Sequence, residues 1–240
     1  MIRKWIPSSV KRQIRIIQRK SSDRKKGFSK IFASAADDKN KTPKILVKEI
    51  HQPIFYNPLS ANKVANIKIA IKVIEQVEIE PGQIFSFWHL IGKPTEDKGY
   101  KTGRNIIGDR LQEDIGGGLC QVSGMLYHLA LTCGMEIIER HSHTLDLYEE
   151  DKRYTPLGAD ATVVYGYKDI RFRNNSSVNI QLKFDVSETG FIGKLFAEVP
   201  IPSCEIDFRR VENDGFRTIE TYRKCMDEWI FVNSSKYLLP

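Results

Sequence analysis

The first limits on this 240-residue chain come from what it has little of: cysteine, long apolar runs, and acid near its start. Four cysteines lie at 120, 133, 204 and 225, and no two form a C-x-x-C pair. That spacing suggests neither a disulfide framework nor a zinc ribbon, so Cys133, Cys204 and Cys225 read as structural thiols. No run approaches the about 18 apolar residues of a spanning helix. The basic N-terminus also lacks the apolar stretch of a secretory signal. The expected location is therefore cytoplasmic, or peripheral on the inner membrane face. Residues 1–30 hold a single acid, Asp23, against eleven lysines and arginines. The whole chain carries +7 and that segment +10, leaving −3 for the other 210 residues. The basic charge belongs to one segment, so no nucleic-acid partner is expected for the body.

What remains is ordinary for a globular protein: 41% hydrophobic and 28% charged residues. The length suits one domain of roughly 150 to 200 residues with extensions. Residues 8–20 show a basic amphipathic helical pattern. Val10, Ile14 and Ile17 share one face, with Trp5 and Ile6 nearby, and Lys11, Arg12, Arg15 and Arg19 lie largely off it. Such a segment suits an anionic membrane surface, an acidic partner, or packing on the body. Ser34–Thr42 reads as a linker, which divides the chain into a tail and linker at 1–43 and a body at 44–240.

Within the body, Val64, Ile67, Ala70, Ile71 and Ile74 predict a helix over 62–77, capped by Asn62 or Ser60. Gln83–Trp88 alternates like a strand. Residues 91–118, rich in glycine and charge, read as a long loop. A second helix is predicted over 119–133, stopped by Gly134. Strands are expected at 135–141, 161–166, 168–173, 178–186, 190–198 and 203–211. This order predicts an α+β fold: two main helices packed on a largely antiparallel sheet, with a strand-rich C-terminal half.

The chemistry concentrates at Gly116-Gly117-Gly118-Leu119-Cys120-Gln121. Glycines permit unusual backbone angles and close approach of a substrate to the main chain. The helix that follows begins with unpaired N–H groups and a positive dipole end. A cysteine in that first turn is expected to be partly ionised. The free N–H groups, with Gln121 as a further donor, suit an oxyanion. His141 and His143 are candidate bases, on one side of a strand if it continues through them. Asp160 and Asp169 are candidates to orient the base. No Lys-Ser/Thr pair follows the glycines, so a phosphate-binding P-loop is not matched. Cys120, His141 and His143 are feasible zinc ligands but lack paired-ligand spacing. Neither metal nor cofactor is expected.

Five blocks carry a family resemblance. They are Phe85-Ser86-Phe87-Trp88, the run Gly116–Ser123, Glu139-Arg140-His141-Ser142-His143, Asp160-Ala161-Thr162-Val163, and Asp169–Asn174. In that order, over about 60–185, the chain resembles the VanW family. The resemblance implies a role in cell-wall peptide metabolism and glycopeptide resistance, because some VanW-like domains are cysteine-dependent L,D-transpeptidases. By that analogy Cys120 would attack a peptidoglycan stem peptide or precursor and form a thioester, which an amine would resolve. His143 would be the base, since relatives that lose the first histidine keep the second. His141 would support it or touch substrate, and Asp160 or Asp169 would orient it. Gly116, Gly117, Gly118, Gln121, Ser123 and Arg140 count as candidate substrate contacts. The alternative reading is a non-catalytic accessory protein that grips a peptide or anion with the glycine loop.

Overall fold

The computed structural model describes residues 7–35, 44–107, 110–146, 153–213 and 215–239. Trp5, Ile6 and most of the expected linker at 34–42 lie outside the described residues.

The fold is α+β. A four-stranded antiparallel sheet runs in the order β1-β9-β8-β2, from β1 (Ile45–Pro53), β2 (Glu78–Ile79), β8 (Ile180–Val186) and β9 (Gly190–Ala197). The two main helices, α2 (Ser60–Ile74) and α4 (Leu119–Thr132), pack on it and on each other. The inward positions of β8 and β9 alternate, with Phe191, Leu195 and Ala197 fully buried. These residues meet Met125, Leu126 and Leu129 of α4 in the core. Nearly every side chain of α4 is buried, as expected of a helix that is apolar almost all round.

A second sheet, β3-β7-β6, joins β3 (Ile84–Ser86), β6 (Glu136–Glu139) and β7 (Arg171–Arg173). A third, β10-β11-β12, is a meander of β10 (Glu205–Asn213), β11 (Phe216–Lys224) and β12 (Trp229–Leu238).

Several local expectations change. The strand expected over 83–88 ends at Ser86. The Ser86 hydroxyl accepts the His89 N–H and starts a short helix, α3 (Phe87–Ile91). The long loop over 91–118 contains a hairpin, β4 (Thr102–Ile107) with β5 (Arg110–Ile115). Its charged sequence lacks the apolar alternation that marks a half-buried strand. Residues 161–166 form no strand, and Ala161–Val163 runs buried against α4 instead. Neither Asn62 nor Ser60 caps α2 by its side chain: Asn62 donates across to Thr102 O, and Ser60 accepts from the Asn57 N–H.

The thiol reading of Cys204 and Cys225 is corrected, because their sulfurs are bonded to each other. The β10–β11 register pairs Glu205 with Lys224, which sets the two flanking cysteines opposite one another. Spacing along the chain cannot reveal such a pairing before the hairpin is known.

The N-terminal helix, α1 (Ser8–Lys25), is docked on the body. Its contact face holds Arg12, Ile16, Arg19 and Asp23. Asp23 receives both guanidinium nitrogens of Arg171 at 2.7 and 3.1 Å, and Arg19 reaches Glu139 at 2.6 Å. Val10, Ile14 and Ile17 point away from the body and are 45%, 44% and 66% exposed. The apolar stripe legible in the sequence is thus the outward face, and polar side chains make the docking contact.

Candidate active site

Cys120 sits in the first turn of α4, just past Gly118, whose φ of 101° lies in the left-handed region. The glycines have a packing reason. A side chain at Gly117 would meet the Gly103 backbone at 2.5 Å, and one at Gly118 would meet Lys63 Cγ at 2.8 Å. The buried Asn66 amide of α2 clamps this turn, donating to Lys101 O and Gly117 O while accepting the Lys101 N–H. In the first turn the N–H groups of Leu119, Gln121 and Val122 already donate to Gly116 and Gly118 carbonyls. Among the described residues the Cys120 N–H has no carbonyl partner, so the oxyanion donors reduce to one backbone amide.

The sulfur lies 3.6 Å from Thr162 Oγ1 and 3.9 Å from Val163 O. Both neighbours belong to the segment that crosses the start of α4, where Ser123 Oγ donates to Ala161 O. His143 faces the same thiol. Burial works to raise the Cys120 pKa, but the His143 hydrogen bond and charge overcome it, and the net direction is downward. Burial alone would depress the imidazole. The hydrogen bonds to Asp160 and Cys120 and the charges of both together outweigh it, and His143 is raised to about 10.

Asp160 anchors the arrangement. Its Oδ2 accepts both His143 Nδ1 and the His143 backbone N–H at 2.8 Å. Its Oδ1 accepts Arg140 Nη2 at 2.9 Å and the Tyr237 hydroxyl at 2.5 Å. Burial favours the neutral acid, but the Arg140 charge and then His143 hold the carboxyl well below its usual range. Asp160 thus favours the protonated imidazole of His143, and that imidazole in turn favours ionisation of the Cys120 thiol.

The other candidates are placed elsewhere. Strand β6 ends at Glu139, so the two histidines do not share a strand face. His141 turns to Glu139 Oε1 at 3.0 Å. Burial works to raise the Glu139 pKa, yet the hydrogen bonds of His141 and Arg19 bring it to about 2. Asp169 joins that second cluster, bonded to Ser86 Oγ at 2.7 Å, Arg171 Nε at 2.8 Å and the Trp88 N–H. It lies beside α1, not beside His143. Its acceptor positions serve the start of α3 and a buried arginine, which explains an aspartate there without catalysis.

Three expected substrate contacts are internal. Ser123 is fully buried and bonded to Cys120 O and Ala161 O. The Arg140 guanidinium is buried against Tyr127 and bonded to Asp160, Gly158 O and Ser235. Gln121 donates to Pro53 O, although it also lines the cavity over Cys120. Gly117 and Gly118 line that cavity as well, whereas Gly116 does not. Residues that sequence reasoning missed include Lys63, Arg104, Thr162 and Tyr237. Tyr237 has no local signal: β12 carries it, and backbone bonds from Leu238 to Thr144 and Asp146 bring that strand end to the site. Among the described residues no group of histidine, cysteine and carboxylates is placed to hold a metal.

Residues 62–196 match the family described as VanW like protein. The chain is 34% identical over 137 residues to the vancomycin B-type resistance protein VanW of Enterococcus faecalis (strain ATCC 700802 / V583), covering 57% of this chain and 50% of that protein. It is 35% identical over 129 residues to the uncharacterized protein YoaR of Bacillus subtilis (strain 168), covering 54% and 41%. The chain thus spans about half the length of these curated relatives or less. No solved structure matches it. With the family match covering more than half of its length, and the glycine turn, Cys120, His143 and Asp160 all inside the matched span, this chain is a member of the VanW family.

Proposed function

We propose that this protein is a cysteine-dependent acyl transferase acting on a cell-wall stem peptide. The observation that carries the reading is the Cys120–His143–Asp160 arrangement at one cavity. The Cys120 thiolate adds to an acyl carbonyl of the donor, and the Cys120 N–H supports the oxyanion. The C–N bond then breaks, the leaving amine takes the proton held on His143, and a thioester remains. An acceptor amine attacks the thioester, gives a proton to His143, and expels the thiolate. Asp160 holds the imidazole in orientation throughout. The wall peptide as substrate is favoured by the family and by a relative named for vancomycin resistance. The Cys204–Cys225 bond favours work in an oxidising compartment, where finished wall peptides lie.

Incubation with stem peptides followed by mass spectrometry of the intact protein tests this. The expected adduct equals the donor minus its leaving amine, sits on Cys120, and is released by hydroxylamine. An unchanged mass with every stem peptide offered would overturn the reading.

For α1 we propose an anionic lipid surface as the partner of the outward stripe. Val10, Ile14 and Ile17 are flanked by Lys11, Lys20, Arg24 and Lys25, which complement acidic headgroups. Among the described residues no helix is long and apolar enough to cross a membrane. Co-sedimentation with phosphatidylcholine vesicles containing phosphatidylglycerol is expected at low salt and not with phosphatidylcholine alone. Ile14→Gln with Ile17→Gln is expected to abolish it. Equal sedimentation by that double variant would exclude the stripe as the contact.

A further inference from the structure

The cavity over Cys120 has two acidic side chains in its wall, Asp146 and Asp160, and both are engaged. Asp160 is held by Arg140 and His143. Asp146 is held by Arg153 at 2.5 Å and by Arg217. Two further cations line the same cavity, Lys63 from α2 and Arg104 from β4. Among the described residues neither has a carboxylate within ion-pair reach. The Lys63 stem packs on Gly118, two residues before the nucleophile, and its ammonium lies 5.9 Å from the Tyr154 ring centroid. Burial and then the Arg104 charge lower the Lys63 pKa to about 8. Two like charges at one wall of a partly desolvated cleft oppose each other, and an anion between them removes that repulsion.

We propose that Lys63 and Arg104 form an anion subsite beside Cys120 that holds a carboxylate of the acyl donor. Identifying the anion as the donor's own rests on the acyl-transfer reading above. The geometry suits a peptide carrying a free carboxylate close to its reacting carbonyl. Pinning that carboxylate sets the acyl carbon against the sulfur, the kind of positioning that turns a bimolecular attack into a local one. It also distinguishes peptides with a free carboxylate from their amidated counterparts. The subsite is absent from the motif blocks because its two cations come from the face of α2 and from a hairpin outside those blocks.

The test uses the full chain and two alkylating reagents that attack the same thiolate, iodoacetate (an anion) and iodoacetamide (neutral). Their rate ratio at Cys120 cancels the thiolate fraction and reports the local field. It is expected to exceed the ratio for N-acetylcysteine amide several-fold. Lys63→Met and Arg104→Gln should each lower it, and the double variant should lower it further, leaving only the contribution of His143 and the helix start. Titration with N-acetylalanine and its amide gives a second readout that needs no reactive thiol. The carboxylate form is expected to bind more tightly, with the difference lost in either variant. If Cys120 resists both reagents while N-acetylalanine still binds selectively, acyl transfer falls and the subsite stands. If both reagents label at the free-thiol ratio and the two alanine derivatives bind alike, the subsite falls and the nucleophile stands.

Discussion

Replacing His143 with glutamine is expected to raise the alkylation midpoint of Cys120, from below the ordinary cysteine value to above it. The sign follows from the two opposed effects at the sulfur. Burial raises the thiol pKa, while the His143 hydrogen bond and charge lower it and prevail. Remove the imidazole and burial is left, with only the weaker Val163 and Thr162 contacts to oppose it. Each unit of upward shift costs about tenfold in thiolate below the midpoint. Loss of the proton carrier should slow acyl transfer by a further 10²–10⁴-fold, roughly the range for a positioned general acid–base. Cys120→Ala should abolish transfer altogether. In the unmodified protein, transfer should rise as the thiol ionises and fall again as His143 loses its proton, near pH 10. Iodoacetamide labelling across pH, read on the Cys120 peptide, measures the first part. Cys133 serves as an internal control, since burial raises its thiol to about 11, and Cys204 and Cys225 are joined. A His143→Gln midpoint equal to that of the parent protein would show that the imidazole does not govern the thiol.

The glycine turn, the cysteine at a helix start and the two main helices were all legible locally. Each depends on spacing within about one or two helical turns. Choosing between His141 and His143, or between Asp160 and Asp169, was not a local question. Asp160 follows Gly158-Ala159 and Asp169 follows Tyr167-Lys168, but both precede an apolar residue, Ala161 or Ile170, and neither context says which carboxylate meets His143. They part only in three dimensions. Asp160 lies on the segment that Ser123 ties across α4, and Asp169 lies where Ser86 and Arg171 meet α1. The amphipathic stripe on α1 was read correctly as a stripe. Apolar periodicity alone does not say which face docks, and here the ion pairs of Arg19 and Asp23 hold the opposite face to the body. Strands β11 and β12 escaped notice because their alternation is weak, with partly exposed side chains on both faces. Yet β12 delivers Tyr237 to Asp160 from beyond the family-matched span of 62–196.

Asp160→Ala is expected to lower folding stability by about 3–5 kcal/mol, the size of effect seen when one partner of a buried ion pair is removed. The reason is the company the carboxylate keeps. Its two oxygens accept from Arg140, Tyr237 and both the ring and backbone nitrogens of His143. Deleting them leaves the Arg140 guanidinium 4% exposed with no counter-charge, although Gly158 O, Asp160 O and Ser235 still accept from it. The pH dependence fixes the cause. The folded pKa of Asp160 is depressed, so its contribution is complete above the unfolded value of about 3.9 and disappears as pH falls toward the folded value. Urea unfolding should therefore show a large gap between the parent and Asp160→Ala at pH 7, and a narrower gap as the pH is lowered below 4. A gap of the same size throughout that range would point to lost packing instead of lost charge. Arg140→Met in the Asp160→Ala background removes the stranded cation, and the pair together should cost less than the two single changes added. Asp160→Asn separates stability from chemistry. The amide keeps the size of the carboxylate and one acceptor, so the chain should fold, but it cannot favour the charged imidazole. His143 should then lose its proton nearer neutrality, and the Cys120 midpoint should climb in a protein that is still native. A folded Asp160→Asn protein with parental thiol reactivity would reduce the aspartate to a structural anchor and leave Cys120 and His143 as a dyad.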